Sequence, residues 1–197
     1  MKLRPASADD FSAAYRVGLL TGNSGQDASD LFTLPDLIGD IYVGPYLEFC
    51  LDTCWVLVDD SSQVVGYVLG CPDTTDFEAR CRDEWWPRVQ SKYSQSQAIT
   101  SLDYELLEAI RNPSNASQSL VAQFPAHGHI DLIESAQGQG WGKVMMKTMM
   151  NALREMGAPG MFLDVSVHNH RALGFYASIG FTEFSRNEDA CCLTLTF

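Results

Sequence analysis

The stretch that points most directly to a chemistry is residues 137–142, Gln-Gly-Gln-Gly-Trp-Gly, in which three glycines alternate with larger residues. An apolar run at 130–133 precedes it and an apolar-periodic segment at 144–156 follows it, so it predicts a loop between a strand and a helix. Glycines at such a place let backbone N–H groups turn toward an anion, and the helix N-terminus adds roughly half a positive charge. The loop therefore suits a pyrophosphate. The alternative is an ordinary strand–turn–helix connection whose glycines serve close packing.

Two other phosphate-binding loops fit these residues poorly. A Walker loop ends in Gly-Lys-Ser/Thr, but here Gly142 and Lys143 are followed by Val144. A Rossmann loop needs two residues between its last two glycines and lies near the start of a domain. This loop lies two-thirds of the way along the chain.

The spacing Gln-x-x-Gly-x-Gly after a strand resembles the acyl-coenzyme A loop of the GNAT acetyltransferases. A second pattern of that superfamily, L-x-V-x-x-x-N-x-x-A-x-x-x-Y-x-x-x-G-F, follows about 20 residues later. Every specified position of it is met, by Leu163, Val165, Asn169, Ala172, Tyr176, Gly180 and Phe181. The resemblance implies an α/β GNAT fold, which is a mixed, mostly antiparallel, twisted sheet flanked by helices.

A narrower resemblance covers about residues 30–197. The runs at 34–40, 43–46 and 65–70, with the pairs at 86–87 and 92–93, are similar to the C-terminal acetyltransferase-like domain of the O-GlcNAcases and to stand-alone bacterial homologues of it. The metazoan domain is regarded as a pseudo-acetyltransferase because its coenzyme A loop has lost the glycine pattern, which this sequence keeps. Two functions are therefore open: an acetyl-coenzyme A-dependent acetyltransferase, and an inactive module that binds acyl-coenzyme A or a protein.

The resemblance implies a set of residues that would hold acetyl-coenzyme A. The N–H groups of residues 139–143 would bind the pyrophosphate, the backbone of residues 132–134 would pair with the pantetheine arm, and Asn169 would hydrogen-bond that arm. Asn169 is also a candidate helix N-cap, and both roles can hold together. The complete set is Leu132, Ile133, Glu134, Gln137, Gly138, Gln139, Gly140, Trp141, Gly142, Lys143, Asn169 and Tyr176.

Acetyl transfer to an amine needs a group that takes a proton from the amine and one that gives a proton to the departing thiolate. The resemblance implies Tyr176 as the acid, and a tyrosine with a pKa near ~10 stays protonated at neutrality. Asp131, a lone acid among apolar strand residues, is the candidate base, because such a residue is costly to bury unless it is partnered or used. His127 and His129 alternate onto the same face, so either is an alternative relay.

Charge and composition restrict the partners. The formal net charge of −12 argues against nucleic acid and fits a cationic or amine acceptor, either a small molecule or a protein lysine. The apolar runs fall short of the ~20 residues that span a bilayer, so we expect no membrane insertion and a cytoplasmic protein. The six cysteines and four histidines show no zinc spacing, so no metal is expected. No pattern indicates an oligomeric state.

The positioning elements follow from periodicity and turn residues. We predict a single domain over residues 1–197, with a helical insertion at about 71–125 that either shapes the acceptor pocket or elaborates the surface. A short helix is predicted at 31–38 with Gly39 as its stop, and Val144 and Met156 are predicted on the apolar face of the helix after the glycine loop.

Overall fold

The computed structural model describes residues 1–94 and 97–197. Its centre is a seven-stranded sheet in the order β1-β2-β3-β4-β5-β7-β6. All neighbours are antiparallel except β4 and β5. The strands are β1 Lys2–Pro5, β2 Cys54–Val58, β3 Val64–Cys71, β4 Ala126–Leu132, β5 Gly160–Ser166, β6 Thr182–Arg186 and β7 Ala190–Thr196. The predicted mixed, mostly antiparallel sheet is confirmed.

The parallel pair β4–β5 is joined over only two residue pairs, Ala126 with Met161 and His127 with Phe162. Beyond His127 the two strands diverge, although β4 runs on to Leu132 and stays paired with β3 along its whole length. The divergence opens a V-shaped gap in the middle of the sheet. The backbone groups of β4 that face this gap have no strand partner.

Nine α-helices flank the sheet in the described part of the chain. They are α1 Phe11–Thr21, α2 Leu37–Tyr42, α3 Gly44–Phe49, α4 Thr74–Arg80, α5 Trp86–Lys92, α6 Ser101–Arg111, α7 Gln118–Val121, α8 Trp141–Glu155 and α9 His170–Ser178. A π-helical turn, Cys81–Trp85, joins α4 to α5. Four of the helices, α4 to α7, lie between β3 and β4, within the predicted insertion.

The two faces of the sheet bury different cores. On one face α8 and α9 pack against β3, β4 and β5 through Met145, Met149 and Tyr176. On the other face α1 and α3 cover β2 and β3 through residues such as Val17 and Tyr46. Consecutive β4 side chains therefore enter different cores, and each core borders the V-shaped gap from its own side.

Two local predictions are wrong. The helix predicted at 31–38 begins only at Leu37, and Gly39 lies inside it as part of α2. Glycine at this position serves close packing, because an added Cβ would come within 2.3 Å of the Tyr15 ring. Val144 and Met156 are 48% and 57% exposed, since they lie at the edge and the end of α8. Helical periodicity gives the direction of an apolar face but not how far the neighbouring elements cover it.

Much of the narrower family resemblance lies in a buried polar network. The carboxylate of Asp40 accepts hydrogen bonds from Tyr15 Oη at 2.9 Å, Lys92 Nζ at 2.8 Å and Tyr93 Oη at 2.6 Å. The backbone oxygen of the same residue accepts from Trp85 Nε1 at 2.8 Å. This network joins α5 to α2 and fixes the insertion on the rest of the fold. No helix in the described residues is long and apolar enough to cross a bilayer.

Candidate active site

A cavity of about 410 Å³ fills the V-shaped gap on the side of α8 and α9. It brings together residues from three regions that are far apart in the sequence: the end of β4, the glycine loop and the start of α9. Its lining includes Ile130, Asp131, Leu132, Gly138, Gly140, Lys143, Asn169, Arg171, Phe175 and Tyr176. The two motifs found in the sequence therefore meet at one place.

The glycine loop has the geometry of an anion cradle. Gly138 and Gly140 have φ of +72° and +84°, a conformation that strongly favours glycine, and space is open where a side chain would stand. The N–H groups of residues 138–142 donate to no acceptor among the described residues, whereas that of Lys143 donates to Gly140 O at 3.2 Å. The run of N–H groups that have no acceptor therefore covers residues 138–142 and begins one residue earlier than the predicted 139–143. It stands at the N-terminus of the 15-residue helix α8.

The backbone edge of β4 facing the gap differs from the prediction. Ile133 N–H donates to Val65 O at 3.0 Å, so its backbone faces β3. Because N–H groups alternate in direction along an antiparallel strand, those of Ile130 and Leu132 face the gap. Leu132 O already accepts a hydrogen bond from Gln137 Nε2 at 2.6 Å. The predicted segment 132–134 is therefore shifted, since Ile130 belongs to this edge and Ile133 does not.

Gln137 and Asn169 hold the walls of the cavity in place. Besides Leu132 O, the Gln137 amide contacts Gly25 O at 3.3 Å, and its oxygen accepts a hydrogen bond from the Arg171 guanidinium. Asn169 Oδ1 accepts from Ala172 N at 3.0 Å, so it is the N-cap of α9, and it also lines the cavity. Gln137 and Asn169, both predicted to bind the cofactor, therefore also form hydrogen bonds within the protein.

Three other predicted residues lie on the outside of the loop. Glu134 is exposed and begins a short 3₁₀ turn, Glu134–Ala136. Gln139 is exposed and its amide donates to Ser135 O at 2.7 Å. Trp141 is half-buried and packs against the core beneath α8. The structure does not bring these three side chains to the cavity lining.

The candidate base Asp131 lies on the other face of β4 but reaches the cavity. Its Oδ2 accepts a hydrogen bond of 2.6 Å from the buried Tyr67 hydroxyl. Burial raises the pKa of Asp131 to about 6, although the hydrogen bond from Tyr67 acts to lower it. A carboxyl with this pKa is largely ionised at neutrality and remains basic enough to accept a proton.

Two histidines share that face with Asp131. Burial lowers the pKa of His129 to about 4, so the ring is neutral at pH 7. Its ring packs edge-on against Tyr42 and Tyr46, with centroids 5.7 and 5.6 Å apart. His127, with a pKa lowered to about 3 mainly by burial, donates or accepts a bond of 2.7 Å between Nδ1 and Thr74 Oγ1. Neither ring lines the cavity that contains Asp131.

Tyr176 is the candidate acid on the opposite wall. It is 7% exposed, it lies on α9, and its ring contacts Phe181 and Phe175. Burial, with the nearby Asp131 carboxylate, raises the pKa of its hydroxyl well above the ordinary value for tyrosine. The hydroxyl therefore stays protonated throughout the neutral range and is able to donate.

Five lining residues are absent from the predicted site residues: Gly25, Ile130, Arg171, Ala172 and Phe175. Gly25 and Phe175 carry no motif, and only the folded chain brings them to the cavity. Ile130 could have been found from strand alternation, whereas Ala172 belongs to the second motif and Arg171 is one of the few basic residues near the glycine loop. No group of three or more candidate metal ligands occurs within residues 1–94 and 97–197.

Comparisons with known proteins agree with this geometry. Residues 26–181 match the model of the acetyltransferase (GNAT) family. The chain is 31% identical over 189 residues to the protein O-GlcNAcase of Rattus norvegicus and equally to that of Mus musculus. The match covers 94% of this chain but only 20% of each O-GlcNAcase, so the chain spans about a fifth of the length of these relatives.

Solved structures show the same fold. SsHAT is 30% identical, with a TM-score of 0.86 and coverage of 99% of this chain and 97% of that one. The yncA protein of Salmonella typhimurium, whose structure contains its cofactor acetyl-CoA, is 12% identical with a TM-score of 0.57 and coverage of 99% and 92%. The seven-stranded sheet with its V-shaped gap is the GNAT fold.

Proposed function

Since the chain belongs to the acetyltransferase (GNAT) family, we propose that it binds acetyl-coenzyme A and transfers the acetyl group to an amine. The observation that carries the proposal is the shared cavity. The free N–H groups of residues 138–142 and the two titratable groups of Asp131 and Tyr176 border one space of about 410 Å³. An anion cradle with an acid and a base at its inner end is what this reaction requires.

The residues present fit the cofactor. Gly138 and Gly140 leave open space where any other residue would place a side chain, so the pyrophosphate can approach the backbone. Lys143 and Arg171, which also line the cavity, supply positive charge on a chain whose net charge is −12. The gap-facing backbone of Ile130 and Leu132 offers hydrogen bonds to an amide-containing arm, as an added strand would.

When bound, acetyl-coenzyme A would supply an acetyl thioester: with a neutral amine an N–C bond forms, the C–S bond breaks, and the products are an amide and a thiol, so the proton taken up by Asp131 balances the one given by Tyr176. Asp131 accepts the proton that the amine loses, directly or through a water. Tyr176 gives its proton to the thiolate sulfur. Tyr67 holds the Asp131 carboxylate in place by its 2.6 Å hydrogen bond. His129 is the alternative relay, but its ring packs against Tyr42 and Tyr46 and does not line the cavity that contains Asp131.

The rival function is a binding module without catalysis. In that case the cradle would hold an acyl-coenzyme A as a regulatory ligand. The enzyme is favoured because Asp131 and Tyr176 border the same cavity, and titratable groups with shifted pKa values cluster at catalytic sites. Trp85 does not obstruct an acceptor, since it is buried between Phe49 and the Asp40 backbone.

Calorimetric titration of the purified chain with acetyl-coenzyme A and with coenzyme A tests the first half of the proposal. A thiol-release assay over a panel of amines then tests the second. Binding with amine-dependent thiol release supports the enzyme, and binding without release from any amine supports the rival. No binding at millimolar cofactor would contradict the enzyme and the acyl-coenzyme A-binding module, and would leave only a module that binds a protein.

A further inference from the structure

A second cavity, of about 360 Å³, opens beside the closed end of the V-shaped gap. Its floor is formed by His127, Phe162 and Asp164, and the first two of these make the last residue pair between β4 and β5. Its walls come from the insertion, through α4, the π-helical turn, Trp86 and residues 113–116. It is therefore separate from the cofactor cavity but lies next to the place where the sheet divides.

The lining is anionic. Glu78 and Asp164 face the cavity, and neither forms an ion pair with any residue in the described ranges. Arg82 also lines it, but its guanidinium bonds to the neighbouring Asp83 at 2.9 and 3.2 Å. Glu78 Oε1 accepts one hydrogen bond, from Ala116 N at 2.7 Å, and burial raises the pKa of both carboxyl groups. A cation that enters the cavity would therefore meet two acids that have no cationic partner among the described residues.

The rest of the lining suits the carbon chain of a cation. Phe77, Trp86 and Phe162 offer aromatic surface, which attracts alkyl groups and ammonium ions alike. A neutral acceptor atom completes it. Thr74 Oγ1 donates its one proton to Pro125 O at 2.6 Å, so the 2.7 Å contact with His127 must be donated by Nδ1–H.

This tautomer leaves a lone pair on His127 Nε2. No described residue bonds to that nitrogen, and no buried side-chain nitrogen or oxygen in the described ranges lacks a partner. Nε2 is therefore accessible from the cavity that His127 lines. Two carboxyl groups, three aromatic rings and an accessible imidazole nitrogen therefore offer an ammonium group several acceptors in one cavity.

We propose that this cavity binds the distal ammonium group of a diamine or longer polyamine, whose other amino group is acetylated at the end of the cofactor cavity. The inference rests on the proposed acetyl transfer. His127 and Ile130 belong to the two cavities and lie three residues apart on β4, which is about 10 Å. An extended alkyl diamine spans such a distance, whereas a simple amine leaves Glu78 and Asp164 without a cationic partner.

The test compares 1,6-diaminohexane with 1-aminohexane, which have the same chain and differ by one ammonium group. The expected result is a kcat/KM for the diamine about 10-fold or more above that for the monoamine, carried mainly by KM. Asp164→Asn and Glu78→Gln should remove this preference while leaving turnover of the monoamine unchanged. Asp83→Asn, on the same turn but directed at Arg82, is the matched control and should keep the preference.

Direct calorimetric binding of 1,6-diaminohexane separates this inference from the proposed catalysis. Binding that Asp164→Asn weakens, in a protein that acetylates neither amine, supports the cavity and overturns the acetyl transfer. Acetylation of both amines with equal kcat/KM in the wild type and in Asp164→Asn overturns the diamine site and leaves the acetyl transfer standing. Absence of both binding and turnover overturns the inference.

Discussion

The hydroxyl of Tyr67 donates a 2.6 Å hydrogen bond to the carboxylate of Asp131, across the pair of strands β3 and β4. The two residues are directly opposite each other in the antiparallel register, so the bond is fixed by the sheet itself. Tyr67 is 1% exposed, and burial is the main reason why the pKa of its hydroxyl lies well above the ordinary value for tyrosine. The Tyr67 hydroxyl therefore stays protonated and always donates, and its hydrogen bond keeps the pKa of the Asp131 carboxyl lower than it would otherwise be.

Replacing Tyr67 by Phe should move the working pH of the enzyme. The hydrogen bond lowers the pKa of Asp131, so Tyr67→Phe should raise that pKa above the value of about 6. If Asp131 is the base, the rising limb of kcat/KM against pH should move to higher pH by about one unit. Tyr46→Phe, on the same face but without a bond to Asp131, is the control. An unmoved pH profile in Tyr67→Phe, in a folded protein, would remove Asp131 from the base role.

Gly140→Glu should abolish cofactor binding. The side chain would enter the open side of the cradle and bring a negative charge to the pyrophosphate position. The strain of a positive φ, roughly 1–2 kcal/mol, would also be introduced. Gly157→Glu separates the two effects, because Gly157 ends the same helix with φ of +92° and equally open space. Calorimetry should show binding lost in the first variant and kept in the second; equal affinities would contradict the cradle.

Tyr176→Phe should lower kcat and leave the affinity for acetyl-coenzyme A close to that of the wild type. General acid catalysis contributes typically about 10²–10⁴-fold, and the variant removes only the hydroxyl from a ring that stays packed against Phe181. Stopped-flow measurement of thiol release, next to calorimetric affinity, gives both quantities. If the proton comes from water instead, kcat will be nearly unchanged while binding is intact.

The glycine loop and the α9 cap could be predicted because each residue there has a local physical reason. Gly138 and Gly140 adopt positive φ, and Asn169 caps a helix, so the sequence pattern and the geometry have the same cause. Gly25 and Phe175 reach the cavity only through tertiary packing, and no local signal marks them. The residues of β4 that face the gap follow from a simpler rule, since backbone N–H groups alternate in direction and therefore place Ile130, and not Ile133, on that edge.

The narrower resemblance was carried largely by residues that hold the fold. Among the residues of those runs, Asp36, Asp40, Lys92 and Tyr93 belong to the network between α2 and α5 and not to the cofactor cavity. Sequence alone could not separate such a network from a catalytic cluster, because both combine acids, tyrosines and a lysine. Burial and hydrogen-bond partners separate them.

Asp40→Ala should destabilise the protein strongly. The variant leaves Tyr15, Tyr93 and Lys92 without their common acceptor, and breaking a buried pair costs roughly 3–5 kcal/mol, less here because the Lys92 side chain is 45% exposed. Asp36→Ala removes the exposed partner of the same lysine and should cost under about 1 kcal/mol. Urea unfolding of the two variants gives the comparison. A similar loss in both would mean that the network does not fix the insertion.

The three titratable groups on β4 should give the stability a definite pH dependence between about pH 4 and 6. His127 and His129 have folded pKa values of about 3 and 4, below the unfolded 6.5, so their contribution is lost as the pH falls. Asp131, at about 6 against 3.8 unfolded, acts in the opposite sense, and its contribution is lost as the pH rises. In this window unfolding takes up two protons at the histidines and releases one from Asp131, so the net uptake is one proton.

One proton corresponds to a slope of about 1.4 kcal/mol per pH unit, with stability rising with pH. Asp131→Asn should double this contribution, since only the two histidines then remain. His129→Gln should cancel it, because one histidine then offsets the carboxyl. The unfolding free energies of the three proteins, measured at pH 4.5 and 5.5, give the slopes. When one slope is subtracted from another, the contributions of all other titratable groups cancel. Equal slopes in all three would show that these residues are not buried together along β4 as the structure has them.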